Sequence, residues 1–461
     1  MDRSARRAGL LCAVYALATF AWYCAWKHFL AEQSSDPAIF ENCFWNALHG
    51  HGLRSWLEGP AVHLAVHFSP GILLLLPLYA VFPSMHVLHA AVCLGVAGAG
   101  LVLYHEARTR LDESTSLFCM LAFLFHPTVV LQTFMEFHEQ ALAFLPLLLL
   151  VRSWRQGRLV PSIVFALLFV SLREDNALSV LLLGALALFR PGGRRLAAAL
   201  IALGALWLAA YKGIALGALA HGALPNIFAT SYGQWGATPG EALRAMVTHP
   251  ARVAAHLVAP EAIKYLAQLL GPLLGVLPFG NPLALVALPQ LLLILLADPS
   301  LRIFQVRMHY SVVPATVAYV AAVGTLAWIA TRRPRLARAL AALMLVVSLA
   351  TVPVWARRAV SRLNPHRERA LAAMRAVPPA ASVAAPGFLL NEMAKRPQLD
   401  YTWGTHANPT EYVLLMSRDA LWFAGESIET FDTPAVADSL ARIGFTPVYE
   451  KDGYRVFRRV E

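Results

Sequence analysis

The chain has 461 residues, 58% of them hydrophobic and only 14% charged, with a formal net charge of +11. Soluble domains carry about 25% charged residues, so this composition excludes a chain that folds in water and points to a membrane-embedded bundle. Nucleic acid is excluded as a partner too, because Arg and Lys fall in short clusters between apolar runs, the pattern of loops beside anionic membrane lipid, rather than on one basic face.

Arg3, Arg6 and Arg7 precede an apolar run over 9–30. A hydrocarbon core ~30 Å thick needs about 20 apolar residues, and no small-residue cleavage site follows, so this run reads as an uncleaved first span. Next comes a polar, His-rich stretch over 31–67, then an apolar segment over 70–83 that is too short to cross and is expected to lie in the interface or dip into it. Together 31–85 read as an outer loop with juxtamembrane helices. Further spans are expected over 86–104, 115–133, 139–151, 159–172, 176–189, 196–216, 262–278, 282–297, 310–330 and 337–355, about eleven with the first. Short loops on one side then hold fifteen arginines, from Arg3 to Arg338, against six on the other. Cationic loops stay in the cytoplasm, which predicts a cytoplasmic N-terminus, an extracytoplasmic C-terminal domain and a multi-pass location in the cell (inner) membrane.

From residue 356 the composition turns soluble. Short strands are expected over 382–385 and 412–416, with a hairpin turning at Asp452-Gly453 near the end of the chain. The predicted fold class is an all-α polytopic membrane bundle over 1–355 followed by a small α/β domain over 356–461. Cys12, Cys24, Cys93 and Cys119 lie in apolar runs and only Cys43 in a polar loop, so no disulfide framework is implied.

Ionisable groups at membrane depth are costly, which makes function their default reading. Four such sites fall on the expected outer side: Asp36, the run Glu136-Phe137-His138-Glu139, the run Arg173-Glu174-Asp175, and His309-Tyr310. Each has a bland alternative. Asp36 before Pro37 can simply cap a helix. Glu136 and His138, two apart, share no helix face, so a metal pair there needs unwound backbone. Arg173 can pair with its own neighbours. His63 and His67 can share a helix face, in a loop already rich in histidine. No Walker loop, dinucleotide fingerprint, nucleophile elbow or paired CxxC occurs.

Phe40, Trp45-Asn46, His49-Gly50, His67-Phe68-Ser69-Pro70, Leu76-Pro77-Leu78-Tyr79, Glu136-Phe137-His138, Arg173-Glu174-Asp175 and His309-Tyr310, in that order, resemble the family catalogued as domain of unknown function 2079. That family in turn resembles the GT-C glycosyltransferases, membrane enzymes that take a sugar from a polyprenyl-phosphate carrier on the outer face. The chain departs from the pattern at Glu136, where Asp is commoner, at Glu139, where Pro is frequent, and at Arg173, where Lys is usual. The resemblance implies that Asp36 and Glu136 are catalytic, with Asp36 the base for the acceptor hydroxyl. Substrate-binding candidates are His67, His138, Arg173, Glu174, Asp175, Lys264, His309 and Tyr310: a departing polyprenyl phosphate is anionic and needs cations or donors, which Arg173, His138, His309 or Lys264 can supply, Arg173 foremost because its planar fork can hold two phosphate oxygens. A divalent metal ion held by Asp36, Glu136 or His138 is the one cofactor suggested. Two readings stand beside this one: a transporter or flippase for a lipid-linked or small polar substrate, and a scaffold whose outer domain binds a partner. Polar residues gathered at one rim, rather than at the midplane, favour the enzyme.

Overall fold

The computed structural model describes residues 3–59, 62–220, 227–401, 410–422 and 431–460. Five helices are long and apolar enough to cross a bilayer: Arg3–His28, Met85–Arg108, Arg194–Leu219, His309–Ala330 and Pro334–Val360. The number rises to seven if two bent pairs each count as one span. The chain is a multi-pass membrane protein.

Where about eleven spans were expected, several apolar runs are helices too short to cross alone. Leu159–Val170 and Asn176–Ala187 are 12 residues each, about 18 Å at 1.5 Å per residue. The run beyond Pro260 breaks at Gly271-Pro272, Pro278 and Asn281-Pro282 into short α and 3-10 pieces, because proline removes the donor that would continue each turn. One bent pair, Glu113–Leu124 and Pro127–Phe134, turns by 54°. Pro127 opens its second half, and His126 Nδ1 accepts from the Thr128 N–H at 3.2 Å to cap it. The segment 70–83 forms two short helices, Pro70–Leu75 and Leu76–Val81, neither able to cross by itself.

His309–Ala330 sits at the centre of the bundle with most of its side chains buried, whereas Arg194–Leu219 and Pro334–Val360 leave apolar faces open to lipid. At the end of the bundle remote from the first loop, Arg155 Nη1 meets Glu106 Oε1 at 2.8 Å, both side chains nearly buried.

The C-terminal domain is a five-stranded sheet: β1 (Val383–Ala385), β2 (Leu399–Tyr401), β3 (Tyr412–Met416), β4 (Phe445–Lys451) and β5 (Tyr454–Arg459) in the order β2-β1-β3-β5-β4. β1 is parallel to β2 and β3, and the remaining pairs are antiparallel. The β4–β5 hairpin turns at Asp452-Gly453, both with positive φ. The last long helix ends at Val360, a little beyond the expected boundary. All five cysteines are free thiols.

This domain packs on the first loop. Its apolar core takes in Leu30, Ala38 and Leu57 alongside Val383, Leu414 and Val456. Asn42 donates to the carbonyls of Ala394 and Arg396, at 2.9 and 2.8 Å, and Ser35 Oγ lies 2.7 Å from Tyr401 Oη. Since the first helix separates residue 3 from this loop, the two ends of that helix put the start of the chain and the C-terminal domain at opposite ends of the bundle.

Candidate functional site

Asp36 starts the helix Asp36–Leu48, with Pro37 in its first turn. Its carboxyl group is half-buried and faces a cavity of about 50 Å³, room for an ion or a water molecule or two, lined among others by Glu136, His138, Arg307 and His309. Two helices end to make this hollow. Pro127–Phe134 stops at Phe134, leaving 135–138 as unwound backbone that turns Glu136 and His138 inward, and His309 opens the central helix from the other side.

The imidazoles of His138 and His309 stack with ring centroids 3.3 Å apart and planes 14° apart. His138 Nδ1 lies 2.7 Å from Glu139 Oε2. The Gln140 N–H also approaches this Nδ1, at 3.3 Å; the shorter contact with the carboxylate favours the proton on Nδ1 in the neutral ring, which leaves the Nε2 lone pair available, the arrangement by which carboxylates orient metal-binding histidines. His309 Nε2 is buried with no hydrogen-bond partner among the described residues. Asp36, His138 and His309 each offer a ligand atom, and the three atoms lie within 4.8 Å of one another. Two imidazoles and a carboxylate fit a first-row divalent cation better than calcium or magnesium, which prefer all-oxygen shells. The residues therefore fit the suggested metal, with one change in the set: His309 stands where Glu136 was expected. Glu136 lines the same cavity, but its Oε1 accepts from the backbone N–H groups of Gln33, at 2.7 Å, and Ser34, at 3.4 Å, which ties the Asp36 loop to the hairpin at 135–138.

Burial raises the Asp36 carboxyl above its ordinary pKa; His138 opposes the shift, and Glu136 and Glu139 reinforce it. Burial would raise Glu139 as well, but the neighbouring His138, with His67 and Arg173 behind it, pulls it down to about 2. Two carboxyl groups that face one imidazole, Asp36 and Glu139, are thereby shifted in opposite directions.

The Arg173-Glu174-Asp175 loop lies behind this cavity and not in its wall. Arg173 Nε meets Asp175 Oδ1 at 3.1 Å, and its guanidinium covers the Tyr310 ring at 4.5 Å, next to His309. Glu174 accepts from the Phe68 N–H at 2.9 Å and lies 3.6 Å from His67 Nδ1. Burial raises Glu174, but His67 outweighs it and the carboxyl falls to about 2; burial holds Asp175 above its ordinary value against the pull of Arg173. These side chains fix the turn at 67–71 against the bundle. Arg173 pairs with Asp175 and covers Tyr310, its Nη1 is buried without a hydrogen-bond partner among the described residues, and it borders neither cavity described here.

Lys264 lies elsewhere, in a larger chamber of about 830 Å³ that shares Leu131, Met135 and Arg307 with the wall of the small cavity. That volume falls in the ~300–1,000 Å³ range of small-molecule sites. Lys264, Arg307, Arg358, Arg362 and Glu261 supply its charge, and Trp355, Phe304 and Leu301 much of its apolar wall. Lys264, Arg307 and Arg358 have no carboxylate partner among the described residues. Arg307 and Arg358 were not singled out from the sequence, where nothing distinguishes them from other loop arginines.

A sequence profile described as a predicted membrane protein family, DUF2079, matches residues 30–456. The chain belongs to the DUF2079 family. No curated protein matches it. The match begins at the first loop and ends within the last strand, so in this DUF2079 protein the C-terminal domain and the membrane bundle are one family unit. A second buried grouping in the same loop, Cys43, Glu58 and His63, is already bonded internally: His63 Nδ1 lies 2.9 Å from Glu58, and its Nε2 lies 3.2 Å from Ser69 Oγ.

Proposed function

We propose that this protein is a membrane glycosyltransferase of the GT-C type, acting at the extracytoplasmic face on a sugar carried by polyprenyl phosphate. The observation that carries the reading is the pairing of two cavities: a small one with the Asp36 carboxyl group, sharing a wall with a large one that is cationic and apolar at once. A sugar linked through phosphate to a prenyl chain has the chemistry of that pair, since its phosphate matches Lys264, Arg307 and Arg358, and its chain matches the aromatic and aliphatic wall.

In an inverting displacement the acceptor oxygen bonds to the anomeric carbon as the bond from that carbon to the phosphate oxygen breaks. The acceptor's proton passes to Asp36, whose burial favours taking it. The phosphate leaves with its negative charge, and the cations of the large chamber stabilise that charge where little water competes. Asp36, His138 and His309 are the residues that would hold a divalent ion, which would supply positive charge to the small cavity. The excess of arginines on the loops opposite the first loop supports an outward-facing site and a cytoplasmic N-terminus.

Incubating the purified protein with polyprenyl-phosphate sugar labelled in the sugar, in vesicles containing host membrane extract as acceptor source, tests this. Movement of label from lipid to acceptor supports the reading. Redistribution of intact labelled lipid between leaflets would make the protein a flippase, and neither change would leave the enzyme reading without support.

A further inference from the structure

We propose that Asn391, in the C-terminal domain, is a positioning residue for Asp36; the proposal rests on the role given to Asp36 above.

The first N–H groups of a helix have no partner within it and normally bond a Ser, Thr, Asp or Asn just ahead of the first turn. The helix Asp36–Leu48 departs from this: Ser35 precedes it, yet its side chain makes no capping bond. Pro37 has no N–H, so the first free donor beyond Asp36 is the Ala38 N–H. It donates to Asn391 Oδ1 at 2.9 Å, across 353 residues of sequence. The other half of the same amide, Nδ2, donates to the Ser34 carbonyl at 2.8 Å. One buried side chain thus grips the backbone on both sides of Asp36 and supplies from another domain the bond to the Ala38 N–H that the Ser35 side chain does not make.

Asn391 is itself anchored. Its carbonyl accepts from Lys27 Nζ at 3.0 Å, at the end of the first span, and the same Nζ meets Glu32 Oε2 at 2.9 Å and Glu392 Oε1 at 2.8 Å. Glu136 holds Gln33 from the opposite side. The Asp36 turn is therefore clamped between the membrane hairpin and the C-terminal domain.

A mere adhesive role would be spread over the interface, and much of that interface does not involve the Asn391 side chain: the Asn42 bonds, the Ser35–Tyr401 contact and the shared apolar core survive its removal. Changing it should loosen the turn without undocking the domain.

The test uses the full chain in detergent, comparing wild type with Asn391→Leu, which keeps the volume and removes both bonds, and with Asn391→Asp, which keeps the acceptor for the Ala38 N–H and loses the amide donor to the Ser34 carbonyl. Hydrogen exchange should accelerate about tenfold or more over 33–39 in Asn391→Leu, while exchange in β3 and β5 stays as in wild type. In the transfer assay kcat should fall about 10- to 100-fold, the scale of a misplaced catalytic group, with KM for the labelled lipid held within about threefold. Asn391→Asp, which retains the bond to Ala38, should keep kcat about tenfold above that of Asn391→Leu, with slower exchange at Ala38. Unchanged exchange over 33–39, unchanged kcat in folded Asn391→Leu, or folded Asn391→Asp no better than Asn391→Leu overturns the proposal. If wild type transfers no sugar, the functional reading fails on its own, and the exchange measurements still decide whether Asn391 holds the turn.

Discussion

Replacing Glu139 by Gln isolates the contact on which the metal-binding geometry depends. Glu139 is fully buried, and it forms an ion-pair contact with His138 Nδ1 at 2.7 Å. Glutamine keeps the shape but removes the negative charge, so the imidazole loses the partner that fixes its tautomer and strengthens Nε2 as a ligand. Losing such a supporting carboxylate costs 10- to 100-fold in metal affinity, about 1.4–2.7 kcal/mol. Titrating the purified protein with Mn²⁺ and following the free ion by electron paramagnetic resonance should show the dissociation constant of Glu139→Gln raised by that factor. His309→Ala, which deletes a ligand outright, should weaken binding further, and Glu136→Gln, outside the three-residue set, should leave it near wild type. Wild-type affinity in Glu139→Gln together with a large loss in Glu136→Gln would refute the assignment and return the site to Asp36, Glu136 and His138.

Lys264→Ala and Arg358→Ala should each raise KM for the lipid-linked donor about tenfold, the worth of one charge-assisted bond, with kcat little changed in steady-state transfer. Arg173→Ala should leave donor KM within about threefold while lowering thermal stability, because it strands buried Asp175; a large rise in KM would restore Arg173 to the carrier site. Glu106→Gln leaves Arg155 buried without its charge partner and should destabilise the bundle by about 3–5 kcal/mol in detergent unfolding, with the apolar pair Glu106→Leu/Arg155→Met recovering most of the loss. Gly71→Ala sets a methyl group against the Ser171 side chain and 2.8 Å from its carbonyl oxygen, at a cost of about 1–3 kcal/mol.

Features whose cause is local were legible in the sequence. Apolar run length marks the long helices, the Asp-Gly pair marks the hairpin, and the alternative of a local ion pair for Arg173 is the one the structure adopts. Run length alone misreads the stretch after Pro260, where hydropathy continues but prolines at 272, 278 and 282 divide the backbone, so one property predicts spans while another forbids them. β2 is three residues long with Asp400 at its centre, too short for alternation to register. The set Asp36, His138 and His309 joins residues up to 273 positions apart. Each was visible as a costly polar group, whereas their grouping and the displacement of Glu136 into a backbone-holding role depend on where two helices end. Asn391 sits among ordinary soluble residues, and its part in capping a distant helix has no sequence signal, because Ser35 and Asp36 read as a local cap.

The most direct test of the whole account is a comparison of wild type and Asp36→Asn with labelled polyprenyl-phosphate sugar, measuring donor binding and single-turnover sugar transfer on the same preparation. Donor affinity within about threefold of wild type, with transfer slowed by at least about 100-fold, is the predicted result for loss of a general base. Transfer by Asp36→Asn at the wild-type rate would contradict it.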